Sequence, residues 1–298
     1  MIYENSNVWK NAKQKKVLLF AMSGLGKTHV SSMLRAQGDW FHYSIDYRIG
    51  TRYMGEYIVD NFKKTAMAVP FLAELLRSDS ISIASNITFE NLAPLSTYLG
   101  KPGDVHKGGI PFDEYRNRQS QHHVAEQAAL LDTPEFIHRA QKIYNYQNFV
   151  CDSGGSICEV VDPWNKQDQV LNSLSSNLLM VWIAGTEAHT TELVHRFDKS
   201  PKPMCYQPEF LLTSWKEYQI ETGLNPDKLN PNDFIRWTYA RALAHRQPRY
   251  EKMAEWGITL KADDVKHISS PKDFEDLVGQ VLDCLLYTSD AADEHNCV

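Results

Sequence analysis

The sequence predicts an α/β fold built on a parallel sheet. Three observations predict it: short apolar runs that end in turn residues, helical spacing between those runs, and one continuous apolar stretch of the kind buried on both faces. Lys16 to Met22 is a β-branched and apolar run ending in a glycine-containing loop, and Thr28 to Ala36 has helical character, so the chain opens as strand, loop, helix. Trp40 to Ile45 gives a second short strand ending at Asp46, and Tyr53 to Lys64 carries Met54, Tyr57, Ile58 and Phe62 at helical spacing. Ser80 to Ser85 alternates Ile81 and Ile83 with serines and reads as a strand or an irregular connection before a helix near Glu90. Gly100 to Pro111 is rich in turn residues and reads as a mobile surface loop. Phe112 to Tyr144 is helical, with Thr133 and Pro134 marking a second helix start. Asn148 to Cys151 is a strand running into Asp152, and Leu178 to Ala184 is the continuous apolar strand. Gln207 to Trp256 reads as helices separated by Pro-rich breaks, and Gly257 to Leu260 as a last short strand. Strands alternating with helices imply parallel pairing.

Composition narrows the functional classes. Of 298 residues, 43% are hydrophobic and 23% charged, the balance of an ordinary globular protein. The formal net charge of -6 disfavours a broad phosphate-backbone surface, so no nucleic-acid partner is expected. The longest apolar runs fall far short of the roughly 20 residues that span a bilayer, and no secretory signal is legible at Met1–Asn5, so the expectation is a cytoplasmic protein with no membrane partner. Cys151, Cys158, Cys205, Cys284 and Cys297 form no CxxC pair and have no histidine at metal-ligand spacing, so they read as reduced thiols. The stretch Cys284 to Glu294 resembles the in-frame translation of a sequencing-library adapter, and residues 284–298 are expected to be a non-native tail.

The chemistry concentrates first in Ala21-Met22-Ser23-Gly24-Leu25-Gly26-Lys27-Thr28, which lies between an apolar strand and a helix start. A phosphate-binding loop needs inward backbone N–H groups, glycines that permit the tight path, and a helix N-terminus whose dipole favours the anion. Ser23 to Thr28 supply these, with Gly24 and Gly26 for the path, Lys27 for the β- and γ-phosphates of ATP and the Thr28 hydroxyl for Mg²⁺. Ala21 stands where the usual pattern has its first glycine. Asp46 closes the second strand, where ligands bind in parallel sheets, and is placed to orient an acceptor hydroxyl; a strand-terminal Asp that merely caps the next turn is the competing reading. Asp152 ends another apolar strand, as expected of a carboxylate that holds Mg²⁺ or its water shell, and Gly154 and Gly155 after it let a substrate approach the backbone. Arg196 to Pro203 is a basic, Pro-limited loop of the kind that supplies cations to a transferring phosphate, with Arg196 the leading candidate.

Together these pieces resemble shikimate kinase and its relatives among the P-loop small-molecule kinases. Asp46 followed by Ile49, Arg52, Gly55, Ile58 and Phe62 is similar to that family's acidic strand end and the helix after it. Tyr115-Arg116 with Gln119 is similar to the segment that provides a substrate-binding arginine, Asp152-Ser153-Gly154-Gly155 to the Gly-rich substrate loop, and Arg196 to the lid arginine. Arg246-Gln247-Pro248-Arg249-Tyr250 is similar to the Arg-x-Pro-x-Tyr segment whose arginine contacts the acceptor carboxylate. Ser44 stands where relatives often carry a first metal-linked Asp, which shifts the expected Mg²⁺ contact to Asp152.

The resemblance implies a three-layer P-loop kinase fold with about five parallel strands in the order 2-3-1-4-5. Residues 1–283 are then a single domain, with insertions at about 63–109 and 204–237 that have no counterpart in compact family members. It implies a kinase that transfers the ATP γ-phosphoryl group to a hydroxyl of a small anionic metabolite. Lys27, Asp46 and Arg196 are the expected catalytic residues, Thr28 and Asp152 the metal contacts, and Asp46, Arg116, Gly154, Gly155 and Arg246 the acceptor contacts. An ATPase that acts as a nucleotide-dependent switch on a protein partner is the alternative.

Overall fold

The computed structural model describes residues 1–37 and 39–290, the side chains of 286–290 excepted. It divides into two compact units. The first comprises residues 1–45, 130–196 and the chain from 242 onward; the second comprises residues 46–129 and 197–241, and so takes in both segments expected as insertions. Among the described residues, no helix is long and apolar enough to cross a membrane.

The first unit holds one five-stranded sheet, β1 (Lys16–Phe20), β2 (Trp40–Ser44), β3 (Asn148–Asp152), β4 (Leu179–Ala184) and β5 (Ile258–Lys261), in the order β2-β3-β1-β4-β5. All four pairings are parallel, and the order is the expected 2-3-1-4-5. Val17 to Phe20 of β1 and Leu179 to Val181 of β4 are fully buried, which is why these central strands read as unbroken apolar runs. Layers of helices cover both faces. Trp40 of β2 meets Phe274 of the helix Pro271–Asp290 edge to face at 6.0 Å, whereas Tyr43, three residues on and therefore on the other face, stacks at 4.5 Å on Phe136 of the helix Thr133–Lys142. β5 joins at the edge through Gly257, where a Cβ would lie 1.9 Å from the Met180 carbonyl oxygen, so only glycine admits the turn into this strand.

β2 stops at Ser44, one residue before the expected end, and Ile45–Arg48 turns helical before a single π turn at Ile49–Tyr53. Asp46 therefore sits in the first turn of a helix rather than at a strand tip. The expected helix over Tyr53 to Lys64 is present as Gly55–Ala66. Residues 80–85 form neither strand nor helix, because their alternating serines and isoleucines are exposed or half-exposed and find no strand to pair with. The expected tail divides: the helix Pro271–Asp290 runs through its first part, and residues 291–298 lie outside the described residues.

The second unit is helical. Its long helix, Phe112–Leu131, buries Tyr115, Arg118, Gln119, His122 and Glu126 at spacings of three and four, the signature of one helix face. Arg118 is the hub of this face: it donates to Glu114 Oε1 at 2.8 Å, to Asn61 Oδ1 at 3.0 Å and to the Tyr98 carbonyl, tying the helix to Gly55–Ala66 and Ala93–Leu99. Burial, with a smaller contribution from His123, lowers the His122 pKa to about 4. Phe112 stacks on Trp215 at 4.4 Å, and Trp215 meets Phe234 edge to face, which packs the helix Pro208–Thr222 against the part of the helix Pro231–Ala254 that belongs to this unit, residues 231–241. The stretch 100–111, expected to be mobile, is held by its own backbone: Gly103 N donates to Ile110 O, Ile110 N to Lys101 O and Gly109 N to Asp104 O.

Candidate functional site

β1 ends at Phe20, and the loop that follows needs its two glycines. Gly24 has φ +89° and Gly26 φ +99°, backbone conformations that L side chains rarely adopt. Gly26 is the N-cap of the ten-residue helix Lys27–Ala36, so the loop delivers its N–H groups and the positive end of the helix dipole to the same place. Ser23, Gly24 and Thr28 are exposed, while Leu25 is buried, with Cδ1 only 3.0 Å from the point a Cβ at Gly185 would occupy. The Lys27 side chain is only 7% exposed, and its Nζ donates to the Ala21 carbonyl at 3.0 Å and to that of Met22 at 3.4 Å, which holds the amine over the loop.

Three further elements of the first unit converge on this loop. Arg196, in the helix Glu187–Lys199, brings Nη2 to within 3.0 Å of where a Cβ on Gly24 would stand, beside Leu193 Cδ2 at the same distance. Its side chain is about half exposed and sits 3.6 Å from Glu192 Oε1, so a guanidinium lies against the exposed loop tip without being buried in a structural pair. Gly155 comes up on the other element: a Cβ there would stand 3.4 Å from Ser23 N and 3.8 Å from Ala21 O. Tyr250, fully buried, brings its hydroxyl to 2.7 Å from the Gly155 carbonyl and 3.1 Å from that of Ala21, tying the glycine turn to the loop after β1. Burial drives the Tyr250 pKa well above the ordinary tyrosine value, so its hydroxyl keeps the proton these contacts use.

Asp152 closes β3 in register with Leu19 of β1 on one side and Ser44 of β2 on the other, so its backbone lies one strand away from the start of the loop. Its side chain is 9% exposed, with His42 Nε2 3.7 Å from Oδ2. Ser153 after it donates to Leu19 O from both its backbone N–H, at 3.2 Å, and its hydroxyl, at 2.9 Å, and Gly154 is buried.

Arg246, expected to touch an acceptor, is 3% exposed and has its guanidinium occupied by the chain itself: Nε donates to Glu159 Oε1 at 2.6 Å and Nη1 to the Gly155 carbonyl at 2.9 Å. Burial works against its charge, but the Glu159 carboxylate, its hydrogen bond, and the neighbouring Cys158 and Tyr250 together outweigh this and raise the Arg246 pKa. Arg249 lies deep beside it, donating to the carbonyls of Cys158 and Val161 at 2.6 and 2.7 Å. Glu159, absent from the expected site residues, is fully buried; an acid inside the apolar run Ile157 to Val161 is the sequence signal that a buried partner exists.

Asp46 and Arg116 belong to the second unit. Asp46 is half-buried. Arg116 is exposed, pairs with Asp113 at 3.4 Å, and lines a cavity of about 500 Å³ together with Ser120, His123, Val124 and Tyr206. A second cavity of that unit, about 670 Å³, carries Lys101, Lys107 and Lys202 on its wall.

No family model matches this chain, and no curated protein matches it. Among solved structures, the crystal structure of a shikimate kinase from Bacteroides thetaiotaomicron is similar at 13% sequence identity and a TM-score of 0.35, over 93% of this chain and 99% of that one. The sheet order and the loop geometry, read from this chain alone, carry the fold.

Proposed function

We propose that this chain is a phosphotransferase that binds ATP with Mg²⁺ at residues 21–28 and transfers the γ-phosphoryl group to a hydroxyl of a small anionic acceptor. The observation that carries this reading is the Arg196 guanidinium set against Gly24 of a loop whose path, lysine and helix dipole all suit phosphate. Phosphoryl transfer builds charge on the γ-phosphoryl oxygens, and a lysine and an arginine drawn from different elements to one loop offset that charge.

In this reading Lys27 binds the β- and γ-phosphates, the backbone N–H groups of Gly24 to Thr28 fix their position, and Arg196 meets the charge that builds on the γ-phosphoryl oxygens as the group transfers. Thr28 and Asp152 fit Mg²⁺, since a hydroxyl at the helix start and a carboxylate at the neighbouring strand end are the hard oxygen donors it takes. The ion when bound draws charge from the β- and γ-oxygens. Asp46 accepts the proton of the acceptor hydroxyl as that oxygen forms its bond to phosphorus and the bond to the β-phosphate oxygen breaks, releasing ADP. Arg116 supplies a cation for the acceptor's own anionic group. Arg246 and Tyr250 act indirectly, by fixing the Gly155 carbonyl beside the loop.

Asp46→Asn is expected to bind a non-hydrolysable ATP analogue as the wild type does and to lose acceptor-dependent turnover by about 10²-fold or more, the usual worth of a positioned base. Turnover would be measured against a panel of hydroxy acids and hydroxylated amines. Full acceptor-dependent turnover by Asp46→Asn removes Asp46 from the mechanism, and a wild-type rate that no acceptor changes but a protein partner raises replaces transfer with regulated hydrolysis.

A further inference from the structure

We propose that the second unit carries a binding site for one zinc-class divalent ion, formed by His122, Glu126 and Cys205, distinct from the phosphate loop and its Mg²⁺. One ligand atom from each of the three lies within 4.8 Å of the other two, and all three residues are buried. His122 and Glu126 are four residues apart on the helix Phe112–Leu131 and so share a face. Cys205 reaches them from a connection 83 residues away along the chain, a separation no local spacing pattern reveals; its thiol, read from the sequence as lacking histidine partners, has one in space.

The distances suit an ion. Bond lengths near 2.0–2.1 Å at tetrahedral angles place two nitrogen or oxygen ligands about 3.4 Å apart. Nδ1 of His122 and Oε2 of Glu126 are 3.6 Å apart, beyond hydrogen-bond reach and close to that edge. The His122 side chain is 5% exposed, and its Nδ1 is buried with no hydrogen-bond partner, a nitrogen aimed into the cluster. An imidazole, a thiolate and a carboxylate together favour Zn²⁺ or Co²⁺ over Mg²⁺, which takes oxygen ligands in octahedral array.

The cysteine is also held in place. Gln119, one turn before His122 on the same buried face, donates from Nε2 to the Met204 carbonyl at 2.9 Å and accepts at Oε1 from the Tyr206 N–H at 2.9 Å. These bonds grip the backbone on both sides of Cys205 and fix it against the helix, the role that supporting hydrogen bonds play around metal ligands. Gln119 is thus a positioning residue for the site. A bound ion joins residues 204–206 to the helix Phe112–Leu131 and braces the second unit.

The test strips the full-length protein with chelator and titrates it with CoCl₂. One equivalent is expected to bind, with the intense d–d bands of tetrahedral Co²⁺ and a thiolate-to-cobalt charge-transfer band, and ZnCl₂ is expected to displace it. Cys205→Ser should lose the charge-transfer band, and Gln119→Ala should keep it while binding Co²⁺ about 10-fold or more weaker, as when supporting partners are removed elsewhere. Circular dichroism and ATP-analogue binding by each variant confirm that it folds. Absence of stoichiometric Co²⁺ uptake overturns the proposal, as does a charge-transfer band that survives in Cys205→Ser. Should Cys205→Ser fail to fold, the wild-type spectrum decides: bands without a sulfur contribution overturn the site, and bands with it, lost in His122→Gln, support it.

Discussion

Under the proposed phosphoryl transfer, Arg196→Ala is expected to lower kcat for ATP turnover by about 10³-fold, the lower end of what an arginine that meets transition-state charge contributes, and to leave ATP-analogue affinity within a few-fold of wild type. The expectation follows from where the side chain is. Its guanidinium stands at the exposed tip of the loop, against Gly24, with Glu192 as a solvent-exposed neighbour at 3.6 Å. Such a surface pair contributes little to stability, so the variant folds and its defect lies in the reaction. Arg196→Lys retains the charge without the planar fork and recovers only part of the loss. Steady-state kinetics beside equilibrium binding separate the outcomes. A kcat within 10-fold of wild type in Arg196→Ala shows that the arginine is a bystander.

Arg246→Ala costs about 3–5 kcal/mol of folding stability, because it leaves the Glu159 carboxylate buried after its closest cation is removed. Against a total of about 5–15 kcal/mol for an ordinary domain, that is a large fraction. His245 stands nearby, its Nε2 3.7 Å from Glu159, but burial lowers its pKa, an effect that Glu159 only partly offsets. The double variant Glu159→Leu with Arg246→Met recovers much of the loss, since removing both charges removes the desolvation problem as well. Urea denaturation of the two single variants and the double closes the cycle, and a loss below about 1 kcal/mol in Arg246→Ala contradicts the buried-pair account. The Gly155 carbonyl loses a donor at the same time, so turnover falls even where the protein stays folded.

The loop at residues 21–28 and its strand–loop–helix setting were legible because local chemistry dictates them. An apolar strand, two glycines at positive φ and a lysine at a helix start need only neighbours in sequence, and the structure has them where they were expected. β3 and β4 were legible for a related reason: buried on both faces, they leave unbroken apolar runs. What the sequence hid depends on distant partners. Arg246 and Glu159 are 87 residues apart, and nothing local distinguishes an arginine that reaches for a ligand from one that satisfies a buried acid. On the helix Phe112–Leu131 the phase decides: Arg118 shares the buried face with Tyr115 and His122, and Arg116 falls on the exposed one. The early end of β2 was hidden too, since Ile45 is fully buried and looks equally apt in a strand or in the first turn of a helix.

Nucleotide binding at residues 21–28 is tested by equilibrium titration of Mg²⁺ with a non-hydrolysable ATP analogue into the wild type and into Lys27→Ala. Saturable binding at one site is expected in the wild type, weakened about 100-fold in Lys27→Ala, as befits the loss of a charge-assisted contact worth about 1.5–3 kcal/mol in a site the lysine also shapes. Equal affinity in the two proteins, or no saturation in the wild type at millimolar analogue, contradicts nucleotide binding at residues 21–28.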